Sequence, residues 1–206
     1  MTQARRGRPR RSPEQVDAMR ERIIATARGL FAAEGFQSVS MRKVAAEAGC
    51  SPMALYGYFR NKNELLRHVW EQFFDPLFAS VAEAAATAAT PQQRLRAMCQ
   101  AYLAYWLAHP DQYRLVYLND DRVEDGEVFY AHLPETTNRH AVFSEAIAAC
   151  QAAGAIAPGD KTAKGEALLC MMIGVAHNLI TVSEHRWSRG TQLLDVMLDG
   201  LFAQRA

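Results

Sequence analysis

Apolar residues recur at three- and four-residue steps through most of the chain, the spacing that lines one face of an α-helix, and no stretch alternates with the period of two that marks a strand. Ile23, Ile24, Ala27, Leu30 and Phe31 begin the series, and Gly35 follows where a left-handed cap would close the helix. Ser40 is a good N-cap for a second run whose apolar positions Met41, Val44, Ala45 and Ala48 share a face, leaving Arg42 and Lys43 off it. Gly49 stops that run. Ser51 caps the next, and Pro52 takes the first helical position, where a missing N–H costs nothing. Gly49-Cys50-Ser51 is then a three-residue link between two short helices, the arrangement of a helix-turn-helix.

Asn61 starts a long helix, with Glu64 placed to reach back as in a capping box and Leu65, Leu66, Val69, Trp70, Phe73 and Phe74 as its apolar stripe. Further helical runs are predicted at about 91–108, 110–118, 135–153, 161–186 and 191–205, broken by His109-Pro110, a polar segment at 119–127, Pro158-Gly159 and Arg189-Gly190. The predicted fold class is all-α. A basic arm at 1–12, expected to be disordered, precedes a three-helix domain at 13–66, which a long helix joins to a second helical domain at 67–206.

Composition narrows the function. Half of the 206 residues are apolar, enough for a real core in one or two domains. The net charge of +1 hides an asymmetry: residues 1–70 carry 13 basic and 6 acidic side chains, residues 71–206 carry 10 and 16. A head of +7 on a body of −6 suggests that one end meets a polyanion. The four cysteines are far apart and form no C-x-x-C pair, so neither a disulfide framework nor a zinc site is signalled, and no metal or other cofactor is expected. The arginine-rich start has no apolar run behind it and no stretch is long enough to span a bilayer, so a cytoplasmic protein with no membrane partner is expected. Asp120, Asp121, Glu124, Asp125 and Glu127 do not follow an EF-hand spacing and read as a solvated loop. No Ser/His/Asp or Cys/His grouping is visible locally, and an enzyme is not expected.

The segments "SMRKVAAEAG" (40–49), "CSPMALYGYF" (50–59) and "RNKNELL" (60–66) together resemble the TetR family of bacterial transcriptional regulators, closely over about 22–66. The resemblance implies an all-helical homodimer whose first domain binds a double-stranded DNA operator. It places Ser40 and Arg42, then Pro52, Met53, Ala54 and Gly57, against the operator, with Tyr56, Tyr58 and Lys62 on phosphates. Physical chemistry agrees: hydroxyls, an ammonium and the N–H groups of a helix start bind phosphate without reading sequence. An arginine such as Arg42 can grip guanine with two hydrogen bonds, worth about 1–3 kcal/mol of discrimination, while Met53 and Ala54 offer thymine methyls an apolar contact. Gly57 stands where many relatives carry a large or basic side chain, so it reads nothing itself. Arg6, Arg8 and Arg10 in "RGRPR" resemble an AT-hook core, in which arginines enter the narrow minor groove of A·T-rich DNA. If that arm dominated, the chain would be an architectural A·T-rich DNA binder without an effector.

The resemblance also makes the second domain the seat of ligand binding and dimerisation. Tyr102, Tyr105, Trp106, Tyr117, Phe143 and Met171 are expected to line a pocket for a small, largely apolar effector, with His177 and Asn178 as its polar groups. Leu193, Leu194, Met197, Leu198 and Leu201 near the C-terminus are expected to face a second copy across a two-fold axis. The whole then reads as a ligand-responsive regulator, a repressor by expectation, released from a palindromic operator.

Overall fold

A computed structural model describes residues 12–118 and 134–203, and every regular element among them is an α-helix. In chain order these are α1 (Pro13–Glu34), α2 (Met41–Glu47), α3 (Pro52–Tyr58), α4 (Lys62–Ala86), α5 (Pro91–Ala108), α6 (Pro110–Tyr117), α7 (Pro134–Ala152), α8 (Lys161–Thr181) and α9 (Gly190–Ala203). They divide into two compact units after Glu71, within α4, slightly beyond the boundary at 66 read from the sequence. The arm residues Arg6, Arg8 and Arg10, and the acidic segment at 119–127, lie outside the described residues.

In the first unit the capping chemistry sets each helix start. Ser12 accepts from the Gln15 N–H while the Gln15 side chain accepts from the Ser12 N–H, closing a capping box ahead of Pro13. Gly35 ends α1 at φ 81° and ψ 150°, positive in φ but extended in ψ rather than left-handed helical. A turn follows at 36–38, and the Phe36 ring lies beside Phe31 with centroids 5.2 Å apart. Gly49 turns the chain between α2 and α3 at φ 69°, a value that disfavours any side chain. At α4, Asn61 Oδ1 accepts from the Glu64 N–H at 2.7 Å, but the Glu64 carboxylate accepts from Arg60 N, one residue before the cap.

The second unit packs α5 through α9 with the rest of α4. α7 and α8 approach closely at Gly165, where a Cβ would stand 3.1 Å from Ser144 Cα and 2.3 Å from its hydroxyl. Arg96 on α5 bridges to Asp195 and Asp199 on α9. The helix expected to reach 186 stops at Thr181: the β-branched pair Thr181-Val182 favours helix weakly, Val182 adopts φ −108° and ψ 68°, and the Trp187 indole N–H donates back to the Val182 carbonyl. Pro76 lies inside α4 and cannot donate the helical hydrogen bond to the residue 72 carbonyl.

Candidate nucleic-acid interface and ligand cavity

The short helix α3 is too brief to persist alone, so its neighbours must hold it. They do so through one face. Leu55 and Phe59 are 0 % and 1 % exposed, and Ile24, Phe31, Val44 and Ala48 of the same unit are buried as well. Arg20 lies over the Phe59 ring at 5.5 Å and hydrogen-bonds His68, which in turn meets the Glu71 carboxylate, so α1 and α4 brace the end of α3. Ser51 accepts from the Ala54 N–H at 3.2 Å, which fixes the start.

The opposite face is what the seal leaves outward. Met53 is 88 % exposed and Tyr56 52 %, with Pro52 and Gly57 also exposed and Ala54 and Tyr58 half-buried. Seven residues at about 1.5 Å each make a rod of roughly 10 Å, which a major groove about 12 Å wide admits. Arg42 is exposed on α2, beyond Ser40, whose hydroxyl caps that helix by accepting from Lys43 N. Lys43 is not a free cation, since it pairs with Glu34 at 2.6 Å. Lys62 is partly committed too: its ammonium donates to the Phe36 carbonyl at 3.0 Å and the Gln37 carbonyl at 3.4 Å and sits over the Phe36 ring. Space around Gly57 is open, for a Cβ there would meet nothing within 4 Å.

The aromatic residues expected to bind an effector instead form a packed cluster. Trp106 is fully buried, with Phe74, Tyr102, Tyr105, Tyr113 and Tyr117 ring centroids 5.4–6.2 Å away. The Tyr102 and Tyr117 hydroxyls are 2.9 Å apart, and Phe143 packs edge-on against Tyr102 at 5.7 Å. Asn178 donates to the Gly174 carbonyl within its own helix, His177 is exposed with its ring 6.4 Å from Tyr113, and Met171 borders a groove between α8 and α9. None of these eight residues lines the larger cavity of the second unit, a groove of about 750 Å³. Its walls come from α4 (Phe78, Val81), α5 (Met98) and α7 (Ala146), with Arg94 and Arg139 beside them. A sequence offers no periodic signal for such a site, because small alanines on α4 and α7 make it by what they leave empty.

On α9 the expected dimer residues separate. Leu194 and Leu198 are 0 % exposed within the single chain, so they belong to its own core and are not available to a partner. Leu193, Met197 and Leu201 are half-buried, and Val196 on the same helix is 73 % exposed. Burial pushes the Cys99 thiol well above the usual range and raises that of Cys150, which keeps both protonated at neutral pH. Among the described residues no cluster of His, Cys, Asp and Glu could hold a metal ion, and no helix is long and apolar enough to cross a membrane.

Comparison with known proteins agrees with this architecture. Residues 23–69 match the model of bacterial regulatory proteins of the tetR family, and residues 95–201 match a tetracyclin repressor-like C-terminal domain. The transcriptional activator FasR of Mycolicibacterium smegmatis is 33% identical over 105 residues, covering 50% of this chain and 48% of that protein. The chain thus spans about half the length of the first curated relatives it matches. Among solved structures, the regulator FadR of Bacillus subtilis in complex with stearoyl-CoA superposes with a TM-score of 0.73 at 15% identity, covering 90% of this chain and 99% of that one. AibR in complex with isovaleryl coenzyme A and operator DNA gives 0.66 at 22%, covering 90% and 99%. At these identities the likeness is one of fold.

Proposed function

This chain belongs to the TetR family of bacterial regulatory proteins, DNA-binding regulators of transcription rather than enzymes, and from that premise we propose that it is a homodimeric repressor which a small, largely apolar effector releases from a palindromic operator. The observation that carries the reading is α3, braced from inside by Leu55 and Phe59 while Met53 and Tyr56 stand out from it. Such a helix is kept for what it presents. In this reading Arg42 reads a base edge, Met53 and Ala54 meet thymine methyls, and Tyr56 and Tyr58 join helix N–H groups on phosphates.

Two copies related by a two-fold axis would cover Leu193, Val196, Met197 and Leu201, and would set the half-sites about 34–36 Å apart or slightly more. The cavity in the second unit supports an effector, as does the presence of a CoA thioester in the AibR and FadR complexes, the former also holding operator DNA. Effector and operator then oppose each other by linkage: a ligand that prefers one conformation of the dimer weakens DNA binding by the same factor by which DNA weakens its own. α4 runs through both units, and Pro76 interrupts its hydrogen bonding just past Glu71, a natural place for the helix to bend. The setting is the cytoplasm, where DNA and metabolites are both at hand.

A second reading, an architectural A·T-rich DNA binder without an effector, draws on the "RGRPR" arm alone. Deletion of residues 1–11 tests the two. A regulator keeps its preference for one inverted repeat, and an architectural binder loses nearly all preference.

A further inference from the structure

We infer that His68 is a positioning residue for operator binding. As a neutral imidazole it couples α1 to α4 through Arg20 and holds the end of α3, and protonating it uncouples these helices and weakens DNA binding. Arg20 on α1 places Nη2 3.1 Å from the His68 ring nitrogens, and Nδ1 of the imidazole also meets the Glu71 carboxylate one turn further along α4. A guanidinium only donates, and an ionised carboxylate only accepts. One form of the ring satisfies both, with the hydrogen on Nδ1 for Glu71 and the lone pair of Nε2 for Arg20. Phe59, the C-cap of α3 and almost fully buried, packs against both partners: its ring centroid is 5.5 Å from Arg20 Cζ and 5.5 Å from the imidazole centroid.

Protonation acts unequally on the two bonds. Nδ1 donates to Glu71 in either form, so that bond persists. Nε2 gains a hydrogen and loses its lone pair, which leaves two donors and two positive charges facing each other at Arg20. The Glu21 carboxylate, 3.8 Å from Arg20 Nη1, then competes for the guanidinium within α1, and the link from α1 to α4 is lost. From α1 the ring thus faces Arg20 with Glu21 beside it, from α4 Glu71, and from α3 the uncharged Phe59. The imidazole is partly exposed, so protons reach it.

The sign of the effect sets it apart. Lower pH adds positive charge to a chain and by itself strengthens attraction to phosphates. The relay does the reverse, because the form that holds α3 carries one proton fewer at His68, and proton and DNA then oppose each other by linkage. The inference rests on the operator reading for its purpose, but the state of the ring can be read without DNA.

Two measurements on the full chain test it. Proton–nitrogen correlation spectra of the protein with isotope-labelled histidine, at about pH 8 and with His68 assigned by the signals absent from His68→Gln, should show the Nδ1–H tautomer. The Nε2–H tautomer, or a ring already doubly protonated, would overturn the inference. Fluorescence anisotropy at constant ionic strength then follows binding to a duplex carrying the inverted repeat selected from random DNA. From about pH 8 to about pH 5.5 the affinity should fall about fivefold, the loss of one hydrogen bond to a charged group at a partly exposed site. His68→Gln, whose side-chain carbonyl can accept from Arg20 in place of Nε2, should keep its affinity across that range. His68→Asn, whose amide reaches only as far as Nδ1 and can keep the Glu71 bond, should be about fivefold weaker at both ends. Affinity that rises on acidification, or a fall that survives in His68→Gln, contradicts the relay. If no inverted repeat is recovered, the operator reading fails, and the tautomer still decides whether the relay exists.

Discussion

The Lys62 ammonium lies 3.0 Å from the carbonyl oxygen of Phe36 and 4.2 Å from the centroid of that residue's ring. It ties the start of α4 to the segment after α1 and so helps to aim α3, which those elements enclose. Lys62→Ala should therefore lower the stability of the first unit by about 1 kcal/mol, a hydrogen bond to a charged group discounted for partial exposure, and weaken all duplexes alike. Thermal unfolding reads the first effect and fluorescence anisotropy on several duplexes the second. A drop of about 1 in the salt slope would mean that the same ammonium also meets a phosphate; an unchanged slope with lower stability would mean that its role is internal.

Arg42 contrasts with Lys62 and Lys43 in being exposed with neither of their internal partners. Arg42→Ala should relax preference at one position of each half-site, costing about 1–3 kcal/mol against the preferred sequence and little against others. Competition between single-base variants of the operator measures it. An unchanged preferred sequence would remove Arg42 from base reading.

Gly57 is not required by the fold, since a Cβ would stand in open space and its φ is unexceptional. Gly57→Ala should stabilise α3 by about 0.5–1 kcal/mol through helix propensity alone. On the proposed reading, in which the α3 backbone comes close to DNA at Gly57, operator affinity should fall despite that gain. Stability and affinity rising together would contradict a close approach.

Val196 is the most exposed large apolar side chain on α9. Val196→Lys should leave the monomer folded and shift it from dimer to monomer, with loss of high-affinity binding to an inverted repeat but not of weak binding to one half-site. Sedimentation velocity against concentration is the measurement. A variant that stays dimeric would place the two-fold interface elsewhere.

Pro76 gives α4 a missing hydrogen bond beside the boundary between the units. Pro76→Ala should raise thermal stability, and by stiffening α4 it should reduce the factor by which an effector weakens operator binding. Anisotropy titrations with and without the effector give that factor directly.

Much of this molecule was legible in sequence because helix ends are local. Ser40, Ser51 and Asn61 each spend a side-chain oxygen on the backbone N–H three residues on, and Gly49 has the positive φ its position in the turn demands, whereas the Ser12 cap of α1 falls where a disordered arm was expected. The sealed face of α3 was legible for the same reason, since Leu55 and Phe59 are four residues apart. What escaped is what depends on distant neighbours. Tyr102, Trp106 and Phe143 look like ligand residues by type, yet they fill one another's space, while the groove is made by alanines that carry no chemical signal. Leu194 and Leu198 look like interface residues, yet their own chain buries them.

The most direct test of the central claim is selection of the purified full chain against random duplex DNA at one fixed, near-physiological salt concentration, since the phosphate contribution to affinity varies steeply with salt. A dimeric reader built on α3 recovers a single inverted repeat with half-site centres about one helical turn or slightly more apart. Recovery of A·T-rich sequence without symmetry, or of no sequence at all, would contradict it.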